Sequence, residues 1–386
     1  MRQKILVSAG EASGDLYASR LVEQLRGRLP EADFFGCAGH RMREAGVRAV
    51  VDAASLSVVG LLEVVSHIPR VFAEYRRLVK AAQRERPAVA VLTDSPDFHL
   101  RVARRLRALG IPVVYFVAPQ AWAWRRGRVH TIRRNVKRLL CIFPFEEPFF
   151  RRYGIAADYI GHPLARIVKP MYSRAEFLGK HSLEADVPLI TLLPGSRTGE
   201  VGRHMPALLD AVERIREQTK VNFVLASPPG AKPENAYPVH WKQIAASPIR
   251  VVEGETWDAI AHADLALAAS GTVTVEAALL GTPMVTFYRV SGWSWRFGRW
   301  LVEVPFYSMV NLVAERAVVP ELIQNEMTGR RIAAEALRLL KDRAARDQMK
   351  QALGEVAARL WSEGDPMEKA AGIVQQFVKH GVSDVS

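Results

Sequence analysis

Short runs of β-branched and other apolar residues, each followed by a turn and then by a helix-like stretch, recur along most of this 386-residue chain. This alternation is the pattern of parallel βαβ units. The strand candidates of the first half are residues 5–8, 88–93, 113–117, 139–143 and 158–160. A second series follows at residues 189–193, 222–226, 249–252, 265–268 and 284–288.

The two series are separated by Gly161-His162-Pro163 and a stretch without strand-like runs. We therefore predict an α/β fold with two Rossmann-like domains. The expected divisions are an amino-terminal domain at 1–165, a linker at 166–187, a second domain at 188–345 and carboxyl-terminal helices at 346–386. We expect these last helices to pack across the domains or against a partner subunit, so a homodimer is possible.

The net charge of +13 is spread unevenly. The first 170 residues hold 29 Lys and Arg against 15 Asp and Glu, whereas the remainder holds 24 against 25. This asymmetry predicts that the first half meets an anionic partner, either nucleic acid or an anionic lipid surface. The alternative is a genomic bias, because arginines outnumber lysines 41 to 12.

Several classes of protein are disfavoured by what the sequence lacks. No apolar run approaches the ~18 residues that span a bilayer, and no export signal precedes the first strand. The two cysteines, Cys37 and Cys141, fit neither a metal spacing nor a disulfide framework. We therefore expect a cytoplasmic protein without a metal or cofactor, whose membrane contact is peripheral.

Two loops of the second half have the composition of a phosphate site. The letters L-P-G-S-R place Gly195, Ser196 and Arg197 at the end of a buried strand, where open α/β sheets bind ligands. Gly195 lets the backbone approach a phosphate closely, and the Arg197 guanidinium can bind two diphosphate oxygens. A plain tight turn with a solvated arginine is the alternative.

The second loop, A-S-G-T, brings Ser270, Gly271 and Thr272 to the start of a helix, whose free N–H groups and dipole favour an anion. Glu276 follows one turn later, where its carboxylate could accept hydrogen bonds from both ribose hydroxyls, or simply cap the helix or lie at the surface. Neither loop is a G-x-G-x-x-G fingerprint or a lysine-bearing P-loop, which disfavours nicotinamide enzymes and nucleoside triphosphatases.

Three groups of the first half are candidates for a general base, which a sugar hydroxyl needs at neutral pH. G-E-A-S-G-D follows the first strand and carries Glu11, and T-D-S-P-D-F follows another and carries Asp94. His162 is the third candidate, although a positioning or structural role fits it better. We expect Asp97, which precedes a helical run, to be the N-cap of that helix.

Apolar, tryptophan-bearing and basic segments of the first half together have the composition of an interfacial protein. A buried core helix is the alternative for the apolar segment at 56–72, and nucleic acid is the alternative partner of the Trp/Arg segment. The residues expected to face acyl chains or the membrane are Val59, Leu62, Ile68, Phe72, Trp122, Trp124 and Arg125.

Read in order, the motifs G-E-A-S-G-D, D-S-P-D-F, A-P-Q-A-W-A-W-R, F-P-F-E, Y-I-G-H-P, L-P-G-S-R and A-S-G-T-V-T-V-E resemble those of the lipid-A-disaccharide synthases. L-S-V-V-G-L-L-E-V, P-F-Y-S-M-V-N-L and V-V-P-E-L-I-Q extend the match. The resemblance implies a family 19 glycosyltransferase of the GT-B type, with its two domains facing across a cleft.

It further implies transfer of 2,3-diacylglucosamine from its UDP donor to the 6-hydroxyl of 2,3-diacylglucosamine 1-phosphate (lipid X), with inversion and without a metal. The products would be the lipid A disaccharide 1-phosphate and UDP. The implied location is the cytoplasmic face of the inner membrane of a Gram-negative bacterium. Because the sequence has no RNA-binding or helix-turn-helix signature, we expect the anionic membrane surface, and no nucleic acid, to be the partner.

The resemblance also assigns residues by position. Asp94 or Glu11 would be the catalytic base, and Arg197, Glu276 and Asn311 would contact the nucleotide. Departures from the family pattern fall on His99, which stands where a smaller amide is expected, and on Gln120 and Thr198.

Two other functions remain open from the sequence. One is another GT-B transferase, or a UDP-sugar epimerase of that architecture, that acts on a soluble sugar. The other is a basic RNA- or membrane-binding protein without catalysis.

Overall fold

The computed structural model describes residues 2–56, 64–123, 125–228, 230, 233–292, 295–296 and 304–380. The chain forms two compact units. The first comprises Met1–Pro163 together with Leu360–Ser386, and the second comprises Leu164–Arg359.

The first unit is built on a parallel sheet, with strands in the order β3-β2-β1-β4-β5-β6-β7. The order reverses between β1 and β4, so the crevice at the carboxyl ends of these two strands is the expected ligand position. The strands are β1 (Lys4–Ala9), β2 (Asp33–Ala38), β3 (Arg48–Asp52), β4 (Val89–Thr93), β5 (Val113–Phe116), β6 (Arg138–Cys141) and β7 (Ala157–Tyr159). The helices between them are α1 (Ala12–Arg28), α2 (His40–Glu44), α3 (Val64–Glu85), α4 (Pro96–Ala108), α5 (Arg128–Asn135) and α6 (Glu146–Arg152).

The second unit has a parallel sheet of the same kind, with strands in the order β10-β9-β8-β11-β12-β13. Its order reverses between β8 and β11. The strands are β8 (Leu189–Leu193), β9 (Asn222–Ser227), β10 (Ile249–Glu253), β11 (Leu265–Ala269), β12 (Met284–Tyr288) and β13 (Glu321–Ile323). The described helices are α7 (Leu164–Ile167), α8 (Arg174–Lys180), α9 (Thr198–Arg216), α10 (Pro233–Ala236), α11 (Trp241–Ala245), α12 (Thr256–Ala261), α13 (Thr272–Leu279), α14 (Met309–Ala314), α15 (Gly329–Lys341) and α16 (Arg343–Leu360).

The last described helix, α17 (Pro366–His380), belongs to the first unit, where it packs along α1. The Gln375 side chain donates to the carbonyl of Arg28 at the end of α1, and the Ser362 hydroxyl donates to the carbonyl of Ile160. The chain therefore returns to its first sheet after completing the second.

The central strands show that each sheet is covered on both faces. Every residue of β4, β8 and β11 is buried, and these strands read as near-continuous apolar runs. The predicted α/β class and the two Rossmann-like sheets are thus confirmed. Among the described residues, no helix is long and apolar enough to span a bilayer.

Candidate functional site

Asp94 lies at the point where the strand order of the first sheet reverses. It directly follows β4, and its carboxylate accepts hydrogen bonds from two main-chain N–H groups that follow β1. The Gly10 N–H donates to Oδ1 at 2.9 Å, and the Glu11 N–H donates to Oδ2 at 3.1 Å. The Asp94 side chain is 12% exposed, so the carboxylate reaches solvent at the crevice that the topology predicts as a ligand site.

A glycine of the G-E-A-S-G-D motif makes room for this carboxylate. A Cβ atom at Gly14 would lie 1.6 Å from Asp94 Oδ2, an impossible separation. The first turn of α1 and the end of β4 can therefore approach only because this position has no side chain. The aspartate of the motif, Asp15, instead holds the start of α2, where its buried carboxylate accepts the N–H groups of Gly39, Arg41 and Met42.

The environment of Asp94 favours its protonated form. Burial, together with the charge of Glu11, raises the pKa of the Asp94 carboxyl to about 7, although the N–H groups of Gly10 and Glu11 oppose the shift. A carboxylate with a pKa near neutrality suits a general base, because it is ionised at working pH and still has a high proton affinity.

Two buried side chains hold the main chain of Asp94 by hydrogen bonds to its carbonyl. Its carbonyl accepts from His99 Nδ1 at 3.0 Å and from the Tyr115 hydroxyl, and both side chains are fully buried. His99 Nε2 lies 2.7 Å from the hydroxyl of Ser8 on β1. The sequence interpretation noted His99 only as a departure from a family pattern, and it missed Tyr115, because nothing in the pattern of a buried strand marks one tyrosine as a donor.

The other candidates from the first half have different settings. Glu11 is exposed at the N-cap position of α1. His162 is 1% exposed, packs against Tyr17 and Phe143, and has its pKa lowered to about 3 by burial, a setting that fits the structural role we favoured. The expectation that Asp97 caps its helix is wrong, because Ser95 occupies the N-cap of α4.

Asp97 instead forms ion pairs with two arginines, one just before α5 and one at its start. Its Oδ1 accepts from Arg125 at 3.0 Å and from Arg128 at 2.6 Å, so the start of α4 is tied to the start of α5. The Arg125 side chain is half exposed despite this ion pair.

The expectation that Trp122 faces acyl chains or a membrane is wrong. This side chain is 7% exposed, and its indole N–H donates to Glu146 Oε1 at 3.0 Å. Glu146 is itself buried and also accepts the N–H groups of Ile142 and Phe143. A buried indole N–H needs a partner, and this carboxylate provides it, so Trp122 is part of the core.

Of the other residues expected at a lipid surface, Phe72 is described and is 49% exposed on α3, beneath the guanidinium of Arg76. Val59, Leu62 and Trp124 lie outside the described residues. Ile68 lies in α3, but its side chain is not among those described.

In the second unit, both predicted loops lie where the strand order reverses. Gly195, Ser196 and Arg197 follow β8, and Ser270, Gly271 and Thr272 follow the neighbouring strand β11. Gly195 has a φ of +116°, which favours glycine, and a Cβ there would lie 3.8 Å from the Cβ of Ala269. The two loops are therefore neighbours, as a shared ligand would require.

Arg197 is the N-cap residue of α9, and its side chain is 58% exposed. Its Nη1 lies 3.4 Å from Glu200 Oε1, which also accepts from the Tyr288 hydroxyl at 3.0 Å. Glu200 and Tyr288 thus lie beside the guanidinium, and the Arg197 side chain remains more than half exposed to solvent. Glu276 is half buried on α13.

A buried histidine holds the first of these loops. His204 Nδ1 lies 2.7 Å from the Pro194 carbonyl, and its Nε2 accepts the Arg289 N–H at 3.0 Å. Since Nε2 accepts, Nδ1 carries the proton, and burial lowers the pKa of this imidazole. The sequence signal was present but weak: His204 stands at helical spacing among the buried positions of α9, where a histidine is unusual.

Ser270 and Asn311 both make hydrogen bonds to other residues of the second unit. The Ser270 hydroxyl donates to the carbonyl of Tyr307 at 2.7 Å. The Asn311 amide group donates to the Val319 carbonyl and to Glu321, and its oxygen accepts the N–H groups of Val318 and Val319. These four bonds use the whole hydrogen-bonding capacity of the amide. The geometry therefore gives Asn311 a structural role, and its amide has no hydrogen-bonding position left for the nucleotide contact that the resemblance implies.

Replacement of Asn311 by alanine is expected to lower stability by about 2–4 kcal/mol, because it leaves buried N–H and C=O groups without partners. Calorimetry should show a lower Tm for the unfolding of the second unit, while the Kd for UDP, measured below that transition, changes little. Asn325→Ala is the control, since Asn325 is exposed nearby. A normal Tm combined with lost UDP binding would contradict this structural role.

Comparisons with known proteins agree with this arrangement. A family model described as lipid-A-disaccharide synthetase matches residues 5–371. The chain is 61% identical over 383 residues to the lipid-A-disaccharide synthase of Solibacter usitatus (strain Ellin6076). The aligned residues cover 99% of this chain and 100% of the relative.

Solved structures share the fold at low identity. The UDP-GlcNAc 2-epimerase from Neisseria meningitidis bound to UDP-GlcNAc has a TM-score of 0.61 at 12% identity, covering 97% of this chain and 99% of that one. The calicheamicin glycosyltransferase CalG4 has a TM-score of 0.60 at 15% identity, covering 99% of each chain. Epimerases and glycosyltransferases thus share this GT-B fold, and the fold alone does not distinguish them.

The distinction comes from the family match, which confirms the resemblance seen in the ordered motifs. The chain therefore belongs to the lipid-A-disaccharide synthase family, and it is a glycosyltransferase of lipid A synthesis that acts on a UDP-sugar and a lipid.

Proposed function

We propose that the enzyme transfers 2,3-diacylglucosamine from its UDP donor to the 6-hydroxyl of 2,3-diacylglucosamine 1-phosphate, with inversion at the anomeric carbon. The observation that carries the proposal is the Asp94 carboxylate, held at a topological switch point with a pKa near 7. Asp94 removes the proton of the acceptor hydroxyl as the hydroxyl oxygen attacks the anomeric carbon and UDP leaves. Glu11, whose charge raises the pKa of Asp94, is the second candidate base.

The leaving diphosphate binds in the second unit. Arg197 and the N-terminal N–H groups of α13 supply positive potential that is in place before reaction, which is the most effective form of electrostatic stabilisation. The two loops that surround the diphosphate are formed by Gly195, Ser196, Ser270, Gly271 and Thr272 together with Arg197. Glu276 binds the ribose hydroxyls.

A transfer assay in detergent micelles tests the proposal against a soluble-sugar epimerase. With the diacylated donor and acceptor, we expect UDP release together with a disaccharide product. UDP-N-acetylglucosamine alone should give no epimer, and an acceptor without acyl chains should be a poor substrate. Equal turnover of acylated and unacylated acceptors would refute the lipid specificity.

The base role predicts a pH dependence. With a pKa of about 7, Asp94 is mostly protonated and inactive as a base at pH 5 and is ionised above pH 7. The value of kcat/KM should therefore rise about tenfold per pH unit through the acidic range and level off above pH 7. A profile that is flat from pH 5 to 7, with chemistry rate-limiting, would contradict the assignment.

We further propose that the helix layer formed by α3, α4 and α5 meets the anionic inner face of the inner membrane. These helices pack side by side and contain twelve Lys and Arg against three Asp and Glu, a net of +9. The exposed Phe72 adds an aromatic ring to this layer. Basic residues near an anionic bilayer contribute roughly 1 kcal/mol each.

Replacing Arg101, Arg104 and Arg105, which are exposed on α4, by glutamine should weaken binding to phosphatidylglycerol-containing vesicles by about 10²-fold. Sedimentation with the vesicles measures the partition, which should also fall with added salt. The control is R330Q/K341Q/R343Q, which removes three exposed charges from the second unit. Equal loss in both triple variants would show that net charge, and not this layer, governs binding.

A further inference from the structure

The main chain at the proposed base has an unusual conformation. Asp94 has a φ of +57° and Ser95 a φ of +38°, so two consecutive non-glycine residues lie in the left-handed region. L-residues adopt this region at an energetic cost, and such residues persist only where surrounding contacts hold them. The contacts that hold this turn therefore determine where the Asp94 carboxylate points.

Three buried side chains supply those contacts. His99 Nδ1 and the Tyr115 hydroxyl both donate to the Asp94 carbonyl, and Ser8 lies 2.7 Å from the opposite ring nitrogen of His99. Ser8 is on β1 and Tyr115 is on β5, the two strands that flank β4. The turn is thus fixed to both neighbouring strands of the sheet.

These contacts determine the protonation of His99. Because Nδ1 donates to a carbonyl, Nε2 of the neutral ring accepts a hydrogen bond from the Ser8 hydroxyl. The Asp94 carboxylate lies 3.9 Å from Nδ1, and the charges of Glu11, Asp97 and Arg128 also act on the neighbouring Tyr115 hydroxyl. Burial lowers the pKa of His99 to about 4, so the ring stays neutral at working pH. It acts as a fixed donor and not as an acid or a base.

We propose that His99 is a positioning residue for glycosyl transfer. It holds the Asp94 carbonyl, so that the Asp94 carboxylate stays hydrogen-bonded to the Gly10 and Glu11 N–H groups. The role rests on the proposed function of Asp94 as base. A base displaced by about 1 Å loses up to 10²-fold in rate while the substrates still bind, so the effect belongs in kcat.

Two substitutions at His99 separate the donor from the ring. His99→Asn places an amide N–H near the position of Nδ1 and keeps the donor, whereas His99→Leu fills similar space without one. We expect a kcat within about 3-fold of wild type for His99→Asn and about 30-fold lower for His99→Leu. The KM for both substrates and the Kd for UDP should stay within about 2-fold in each variant.

A purely structural role predicts other results. If His99→Leu lowered only the Tm and kept a normal kcat at a temperature where it is folded, or if His99→Asn were as slow as His99→Leu, the proposal would be wrong. Tyr115→Phe provides a second test should His99→Leu not fold, because it removes one hydroxyl from the same carbonyl and keeps the ring. We expect its kcat to fall about 5-fold, and an unchanged kcat would count against the proposal.

The base assignment is tested separately with Asp94→Asn. If that variant kept its turnover, the proposed function of Asp94 would fail. If Asp94→Asn were inactive while His99→Leu and Tyr115→Phe had normal kcat values, only the positioning role would fail.

Discussion

Asp94→Asn is expected to lower kcat for disaccharide formation by about 10³-fold while the Kd for UDP stays unchanged. The amide has almost the same shape as the carboxylate and keeps the hydrogen bond from the Gly10 N–H, although its NH2 group cannot accept the Glu11 N–H. An unchanged Tm and unchanged UDP binding would show that the loss reports the missing base and not a collapsed site. Single-turnover rates with both lipid substrates measure the chemical step, and calorimetric titration measures UDP binding.

Two nearby carboxylates serve as controls for Asp94. Asp97→Asn lies in the same motif and loses only its ion pairs with Arg125 and Arg128, so kcat should change by less than about 3-fold. Glu11→Gln removes the second candidate base. If Glu11→Gln were inactive and Asp94→Asn active, the roles of the two residues would be reversed.

Arg197→Ala is expected to lower kcat/KM by about 10²–10³-fold and to raise the Kd for UDP. In the proposed function this guanidinium stabilises the leaving diphosphate, and loss of one such preorganised donor costs this much in other enzymes. Arg197→Lys keeps the charge but loses the two-pronged geometry, so its activity should be intermediate.

The control for Arg197 lies on the same helix. Arg216 is the last residue of α9 and makes an exposed ion pair with Glu213, so Arg216→Ala should leave kcat/KM and UDP binding unchanged. An Arg197→Ala enzyme that bound UDP with wild-type affinity would show that the diphosphate binds elsewhere.

Most elements were predictable from local pattern. The strands at 189–193 and 284–288 have the predicted bounds, and the other predicted strands differ by one or two residues at one or both ends. Strands β2, β3 and β13 were not predicted. β2 contains Gly36 and Cys37, β3 has a charged residue at each end, and β13 has only three residues, so none shows a clear period of two.

The positions of the candidate loops were predictable, but the side chains that hold these loops were not. Strand-end position identified Asp94, Arg197 and the loop at 270–272, because parallel strands bring their carboxyl ends to one edge of a sheet. Trp122 was placed wrongly, since composition cannot show that Glu146, 24 residues away, accepts its indole N–H within the core.

What the amino-acid sequence determined by itself is therefore the alternation of strands and helices, the strand-end position of the loops proposed to carry the chemistry, and the family. These follow from short-range periodicity and from residue order, which are present in any single chain. Only the tertiary structure decided which groups hold those loops, such as His99 and Tyr115 at Asp94 and Tyr307 at Ser270. Such contacts join residues that are distant in sequence, and their geometry exists only once strand order and register have brought them together.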